Sequence, residues 1–257
     1  MKLAGKTVIV TGGASGLGEA TVRRFVKHGA KAVILDLNEE RANKIVDELD
    51  PNVLFTKADI ESEEQVQAAI DLAIDTYGGL HFLVNCAGIL GIGARRTVNR
   101  SGPHPLEDFK LTVNSYLVGT FNCIRLAAWA MSHNEPDEDG ERGVIINTSS
   151  VSAFEGQIGQ AGYAAAKAGV SGMTLVIARD LAGIGIRCNT IVPGLFMTPR
   201  AEQEPQAIID QLVGHMSFPK HPSHPDKYAH MAQAIVENTA MNGENVRLDS
   251  AMRMGPK

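Results

Sequence analysis

The chain is poor in cysteine, in positive charge and in long apolar runs. Its three cysteines in 257 residues (Cys86, Cys123, Cys188) are far apart, odd in number and without a Cys-x-x-Cys. They argue against a disulfide framework or a zinc site and suit a reducing compartment. Lys and Arg number 24 against 29 Asp and Glu, a net charge of −5. A nucleic-acid surface needs clustered cations, so that role is a poor primary reading. No apolar stretch reaches the length of a membrane span, and Met1 to Lys6 leads straight into a strand pattern with no room for a leader. A cytoplasmic protein with no membrane partner is the expectation.

What is present is an alternation of strand and helix signals. Apolar strands are expected at 7–10, 32–37, 53–58, 81–84, 144–146 and 186–192, with a seventh at 246–248. Helices are expected over 19–28, from Ser62 to Gly78, over 106–131 and over 163–181. Gly29 is placed to stop the first, and Ser62 with Gln65 fits a capping box. Continuous rather than alternating apolar strands indicate a sheet covered on both faces. The expected fold is therefore α/β: one domain over 1–257, a Rossmann-type doubly wound parallel sheet of about seven strands with helices on both faces. No linker or repeat divides it, and the acidic stretch 134–142 reads as a surface loop.

Between the first strand and first helix stands Thr-Gly-Gly-Ala-Ser-Gly-Leu-Gly, residues 11–18. Gly12, Gly16 and Gly18 follow Gly-x-x-x-Gly-x-Gly spacing, with Ser15 and Leu17 between them. Glycines let the backbone approach a pyrophosphate, which the N–H groups at the helix start would hold. Asp36, 18 residues after Gly18, ends the second strand. A carboxylate there accepts from both ribose hydroxyls of NAD and repels a 2′-phosphate. Neither Ser15 nor Leu37 is basic, which favours NAD over NADP; Arg41 is the nearby cation that would oppose this.

Tyr163 precedes Lys167 by four residues in Gly-Tyr-Ala-Ala-Ala-Lys. The two share a helix face. An ammonium beside a phenol favours the phenolate and would bring its pKa down from about 10 into a working range. The spacing alone does not separate this from an ordinary turn of helix, because about 0.2 such pairs arise by chance in this composition.

With the glycine loop, Asn85-Cys86-Ala87-Gly88, Val113-Asn114-Ser115, Thr148-Ser149-Ser150 and Tyr163 to Lys167, the whole chain resembles the short-chain dehydrogenase/reductase family. The resemblance implies a catalytic tetrad of Tyr163, Lys167, Ser150 and Asn114, with Asn114 holding a water in a proton relay. Ser149, Ser150 and Ser152 are all close; the family spacing of thirteen residues before the tyrosine selects Ser150. Further segments, among them 134–137, 142–148, 153–157, 177–182, 193–196 and 242–249, are similar to the type 2 3-hydroxyacyl-CoA dehydrogenase branch. That likeness implies NAD contacts at Ser15, Leu17, Asp36, Asp59, Ile60, Cys86, Ala87, Gly88, Tyr163, Lys167 and Phe196. It also implies substrate contacts at Ser150, Gln157 and Tyr163, a lid near 195–225, and a homotetramer built on helices 106–131 and 163–181. The substrate implied is a small molecule, an acyl-CoA thioester or a steroid, with (S)-3-hydroxyacyl-CoA first. Rival expectations are another small alcohol, or a nucleotide-binding scaffold without catalysis.

Two segments depart from the branch. Lys220 to Pro225 replaces Arg-Leu-Gly after Phe218-Pro219, and Ser250 replaces a glycine. Arg95, Arg96 and Arg100 lie in an acid-free loop, 90–105, either solvated or facing coenzyme A phosphates. His215, His221, His224 and His230 read as polar surface, and no metal is expected.

Overall fold

The fold is that of a computed structural model, which describes residues 1–88 and 93–257. The first residues of the arginine loop, 90–92, lie outside the described residues. The first half runs β1 (Thr7–Thr11), α1 (Gly16–Lys27), β2 (Lys31–Asp36), α2 (Glu39–Leu49), β3 (Val53–Lys57), α3 (Glu63–Tyr77) and β4 (Phe82–Asn85). A small hairpin, β5 (Val98–Asn99) and β6 (Gly102–Pro103), leads to α4 (Leu106–Val113), a π-helical turn over Asn114–Val118 and α5 (Gly119–Met131). The chain continues through β7 (Gly143–Thr148), α6 (Ala161–Ala182), β8 (Ile186–Pro193), α7 (Gln206–Gly214), α8 (Pro225–Glu237) and β9 (Asn245–Leu248).

Seven strands form one parallel sheet in the order β3-β2-β1-β4-β7-β8-β9. Successive side chains leave a strand on opposite faces. Val8 and Val10 thus pack under α1, α2 and α8 with Phe25, Ile45 and Tyr228, whereas Ile9 packs under α3, α5 and α6 with Ile70, Met131 and Ile177. Both faces are covered, as the continuous apolar strands predict. Across the sheet centre runs a polar seam: Thr11 Oγ1 donates to Asn85 Oδ1, Asn85 Nδ2 to Asn147 Oδ1 (2.9 Å), and Asn147 Nδ2 to Cys188 Sγ. Strand order reverses direction between β1 and β4, and the crevice beyond their carboxyl ends is where such sheets bind ligands.

Helices α2 and α7 and the β5–β6 hairpin are absent from the sequence reading, and two helix features differ from it. Helix α2 was not expected: it buries only Ala42 and Ile45, so its apolar stripe is thin, and Asn38 caps it through Arg41 N–H. The single helix over 106–131 is interrupted by the π turn. At α3, Ser62 accepts from Gln65 N–H, but the Gln65 side chain turns to Asp59 N–H, so the capping box is half made.

Candidate active site

The glycine loop leaves β1 and turns into α1 beside the end of β4. Thr11 fixes the two, its Oγ1 accepting from Cys86 N–H (3.2 Å) and Ala87 N–H (3.1 Å). Gly12 has φ +65°, and a Cβ there would lie 2.9 Å from the Ala87 backbone. A Cβ on Gly18 would lie 2.1 Å from the Gly12 carbonyl oxygen. Only glycine permits this close packing of loop, helix and strand end. Ser15 stands at the N-cap of α1 without a capping bond from its side chain. Asp36 closes the loop from β2, accepting from Ala14 N–H (3.0 Å) and Asn38 N–H (2.9 Å). Asp59 follows β3 and accepts from Glu61 N–H; buried Ile60 gives its carbonyl to Asn122 on α5. Gly88 packs flat against the ring of Tyr116, where a Cβ would be 1.9 Å from Cε1. Phe196 is buried after β8, and Gly16 (φ +54°) faces Thr198 and Pro199. A glycine floor, a helix N-terminus and a carboxylate at the β2 end together fit a dinucleotide.

The end of β7 supplies the other wall. Ser149 and Ser150 point to different work. Ser149 Oγ donates to the Lys167 carbonyl (2.8 Å) and accepts from Ser171 Oγ (2.7 Å). Ser150 stands beside the Tyr163 phenol, where it acts to hold that group's pKa down, and its Oγ accepts from Ser152 N–H. Lys167 is buried, and its Nζ donates to the Thr148 carbonyl at 2.8 Å. Thr148 Oγ1 joins Tyr228 OH (2.7 Å) and Asn85 O, and lies 3.5 Å from Cys86 Sγ.

The expected lowering of the Tyr163 pKa is not met. Burial pushes the phenol up to about 12, with Tyr116 adding to the rise; Ser150 and Arg200 act against it. Burial brings Lys167 down to about 8. The reason is geometric: Nζ is drawn to the Thr148 carbonyl, 5.9 Å from the Tyr163 ring centre but 4.5 Å from that of Tyr116. Burial also raises the Cys86 thiol.

Asn114 opens the π turn and is exposed; its carbonyl accepts from Gly119 N–H. The residue of this turn that reaches the pair is Tyr116, which meets Tyr163 edge-on (5.2 Å, 81°) and accepts at its hydroxyl from Arg200 Nη1 (3.3 Å). Sequence reasoning missed Tyr116, for which no local signal exists. Gln157 is half-buried in the loop before α6, its N–H bonded to the Gln160 side chain. Arg95 finds an acid outside its own loop, pairing with Asp108 of α4 at 2.9 Å. Of the four histidines, His224 caps α8 through Asp226 N–H. Among the described residues no group of three metal-ligating side chains converges.

A doubly wound sheet, a glycine-floored crevice at its switch point and a tyrosine, serine and lysine converging beside it define an oxidoreductase of the dinucleotide-binding class. The chain belongs to the short-chain dehydrogenase family, whose profile matches residues 6–208. It is 50% identical over 252 residues to 3-hydroxyacyl-CoA dehydrogenase type-2 of Homo sapiens, covering 98% of this chain and 97% of the relative. Ipsdienol dehydrogenase of Ips pini is 34% identical over 98% of this chain and 99% of its own. The crystal structure of 3-hydroxyacyl-CoA dehydrogenase type-2 from Mycobacterium avium superposes with a TM-score of 0.95 at 44% identity, covering 98% of each chain.

Proposed function

We propose that the chain interconverts (S)-3-hydroxyacyl-CoA and 3-oxoacyl-CoA with NAD as its cofactor. The observation that carries the chemistry is the buried Lys167, one helical turn from Tyr163 and hydrogen-bonded to the Thr148 carbonyl at the strand end that also carries Ser150. The thioester substrate is supported by the half-identical, full-length relative named for it.

When bound, NAD supplies the hydride acceptor, or as NADH the donor, and so carries the redox step. The loop residues Gly12, Ser15, Gly16, Leu17 and Gly18 would take the pyrophosphate, and Asp36 the ribose hydroxyls. The Asp36 carboxylate at the end of β2, with neither Ser15 nor Leu37 basic, supports NAD over NADP. Asp59, Ile60, Cys86, Ala87, Gly88, Lys167 and Phe196 would line the remainder. Ser150 orients the substrate oxygen. Tyr163, held as a phenol, donates its proton to that oxygen in the reductive direction. In the oxidative direction it takes the alcohol proton as phenolate, a form favoured by Arg200. Gln157 is kept as substrate contact on the family resemblance; the relay role that the resemblance implies for Asn114 is not supported by an exposed side chain on a turn whose Tyr116 meets the pair.

We read 1–257 as one domain with a lid over 195–225. A stripe of Phe121, Arg125 and Trp129 on α5 beside Ile177 and Ile184, which frames an apolar groove, supports a homotetramer built on α5 and α6. Three free cysteines support a cytoplasmic setting; among the described residues no helix is long and apolar enough to cross a membrane. The test is a kinetic panel of acetoacetyl-CoA, steroids and simple ketones with NADH. Turnover of acetoacetyl-CoA that Tyr163→Phe reduces by about 10³-fold is expected. No turnover of acetoacetyl-CoA removes the substrate, and an unaffected Tyr163→Phe removes the mechanism. The second reading, another secondary alcohol, draws on the ipsdienol dehydrogenase relative.

A further inference from the structure

Tyr116 stands at the centre of the site with no task in the dehydrogenase chemistry. Several contacts converge on it. The Lys167 ammonium lies 4.5 Å from its ring centre. The Tyr163 ring meets it edge-on at 5.2 Å. Gly88 seats it, with no room for a Cβ between them. Its hydroxyl accepts from Arg200 Nη1, in the segment read as the lid. An ammonium within about 6 Å of a ring face is attracted by the ring quadrupole, and more so when water is excluded, as it is around buried Lys167.

We propose that Tyr116 is a positioning residue: its ring face holds the Lys167 ammonium in register with Tyr163, and its hydroxyl ties the Arg200 lid segment to the site. The inference rests on the dehydrogenase reading for the role of Lys167, and it assigns separate duties to the two parts of one side chain. The ring stabilises the charged form of Lys167 against the desolvation that brings its pKa to about 8. Without the ring, an apolar side chain of similar volume leaves that desolvation unopposed, and the lysine loses its proton at lower pH. The other titratable and charged groups facing Lys167 and Tyr163 are Cys86 after β4, Tyr228 of α8 through Thr148, and Arg200; the Arg200 tie is lost equally in both variants below, so their difference reports the ring alone.

The test compares Tyr116→Leu, which removes the ring, with Tyr116→Phe, which removes only the hydroxyl. NADH binding by fluorescence and kcat are each measured from pH 6 to pH 10. The alkaline limb of NADH binding is expected to fall by about one pH unit in Tyr116→Leu. Its kcat is expected to fall about 10-fold or more. Tyr116→Phe is expected to keep the wild-type limb while KM rises several-fold, since the ring stays and the lid tie is lost. Tyr116→Met replaces Tyr116→Leu, with the same expectation, should the latter not fold. A limb unmoved in the ring-less variant overturns the proposal, and so does Tyr116→Phe moving it as far. The limb is read on cofactor binding, so it stays legible if the substrate assignment fails; failure of the dehydrogenase reading shows instead in Tyr163→Phe.

Discussion

Ser149 donates its hydroxyl hydrogen to the backbone carbonyl of Lys167, its neighbour across the β7–α6 junction, at 2.8 Å. Adjacent Ser150 takes its backbone bond from Ser152 N–H and stands beside the Tyr163 phenol. Two consecutive serines therefore divide structure from chemistry. Ser149→Ala should cost about 1–3 kcal/mol by leaving the Lys167 carbonyl and Ser171 hydroxyl short of partners in the interior. Ser150→Ala should lower kcat by about 10²-fold with little change in melting temperature. Denaturant melts and initial rates on both variants check this; a Ser149→Ala enzyme with the larger kcat loss would reverse the assignment.

Ser250 and Ala251 both have φ of +54°, the left-handed region that side chains with a Cβ enter at a cost of about 1–2 kcal/mol. The chain bears serine where the 3-hydroxyacyl-CoA dehydrogenase branch has glycine. Ser250→Gly should raise stability by about 1 kcal/mol, less the added freedom of the unfolded glycine. The melting temperature should rise by about 2–4 °C, read by scanning calorimetry. Equal or lower stability would show that neighbouring bonds, such as Ser217 N–H to the Ser250 carbonyl, already accommodate the turn.

His81, next to the start of β4, accepts from Thr7 N–H at Nδ1 and is half-buried; this burial, with the Lys6 charge beside it, brings its pKa from 6.5 to about 4. Below pH 6.5 the unfolded chain takes up a proton that the folded chain refuses until about 4. Stability should therefore fall as pH drops through that window, and above it the contribution is complete. His81→Gln should flatten this part of the profile, as measured by urea melts between pH 4 and pH 7. An unchanged slope would mean that other groups dominate the acid loss.

The Asp36 carboxylate braces the glycine loop and also stands where a ribose would meet it. Asp36→Ala should weaken NADH binding by about 10-fold or more and narrow the gap to NADPH, since a fixed negative charge no longer opposes the extra phosphate. Titration of both dinucleotides by fluorescence reads this directly. Retained discrimination after the change would move cofactor choice elsewhere, with Arg41 the first place to look.

The features legible in the sequence are those whose chemistry demands residue types at fixed local spacing. Gly12, Gly16 and Gly18 opening a helix, Asp36 ending β2, and Tyr163 one turn before Lys167 are of this kind, and the alternation of elements yields the sheet. Tyr116 was illegible because its place depends on the π turn, on the flat seat of Gly88 and on Arg200 more than eighty residues on. The pKa of Tyr163 was misread for a related reason. Sequence spacing reports that an ammonium is near, not that burial outweighs it or that the Thr148 carbonyl claims its proton.

The buried seam of Thr11, Asn85 and Asn147 joins β1, β4 and β7 near the ends that carry the site, with Cys188 of β8 beside Asn147. Slipping β1, β4 or β7 by one residue would turn its seam member to the opposite face and strand an amide or hydroxyl among aliphatic side chains. The seam thus works as an alignment key. It penalises every mispaired sheet, and in doing so it fixes how far the glycine loop, Cys86 and Thr148 protrude relative to one another before any ligand arrives.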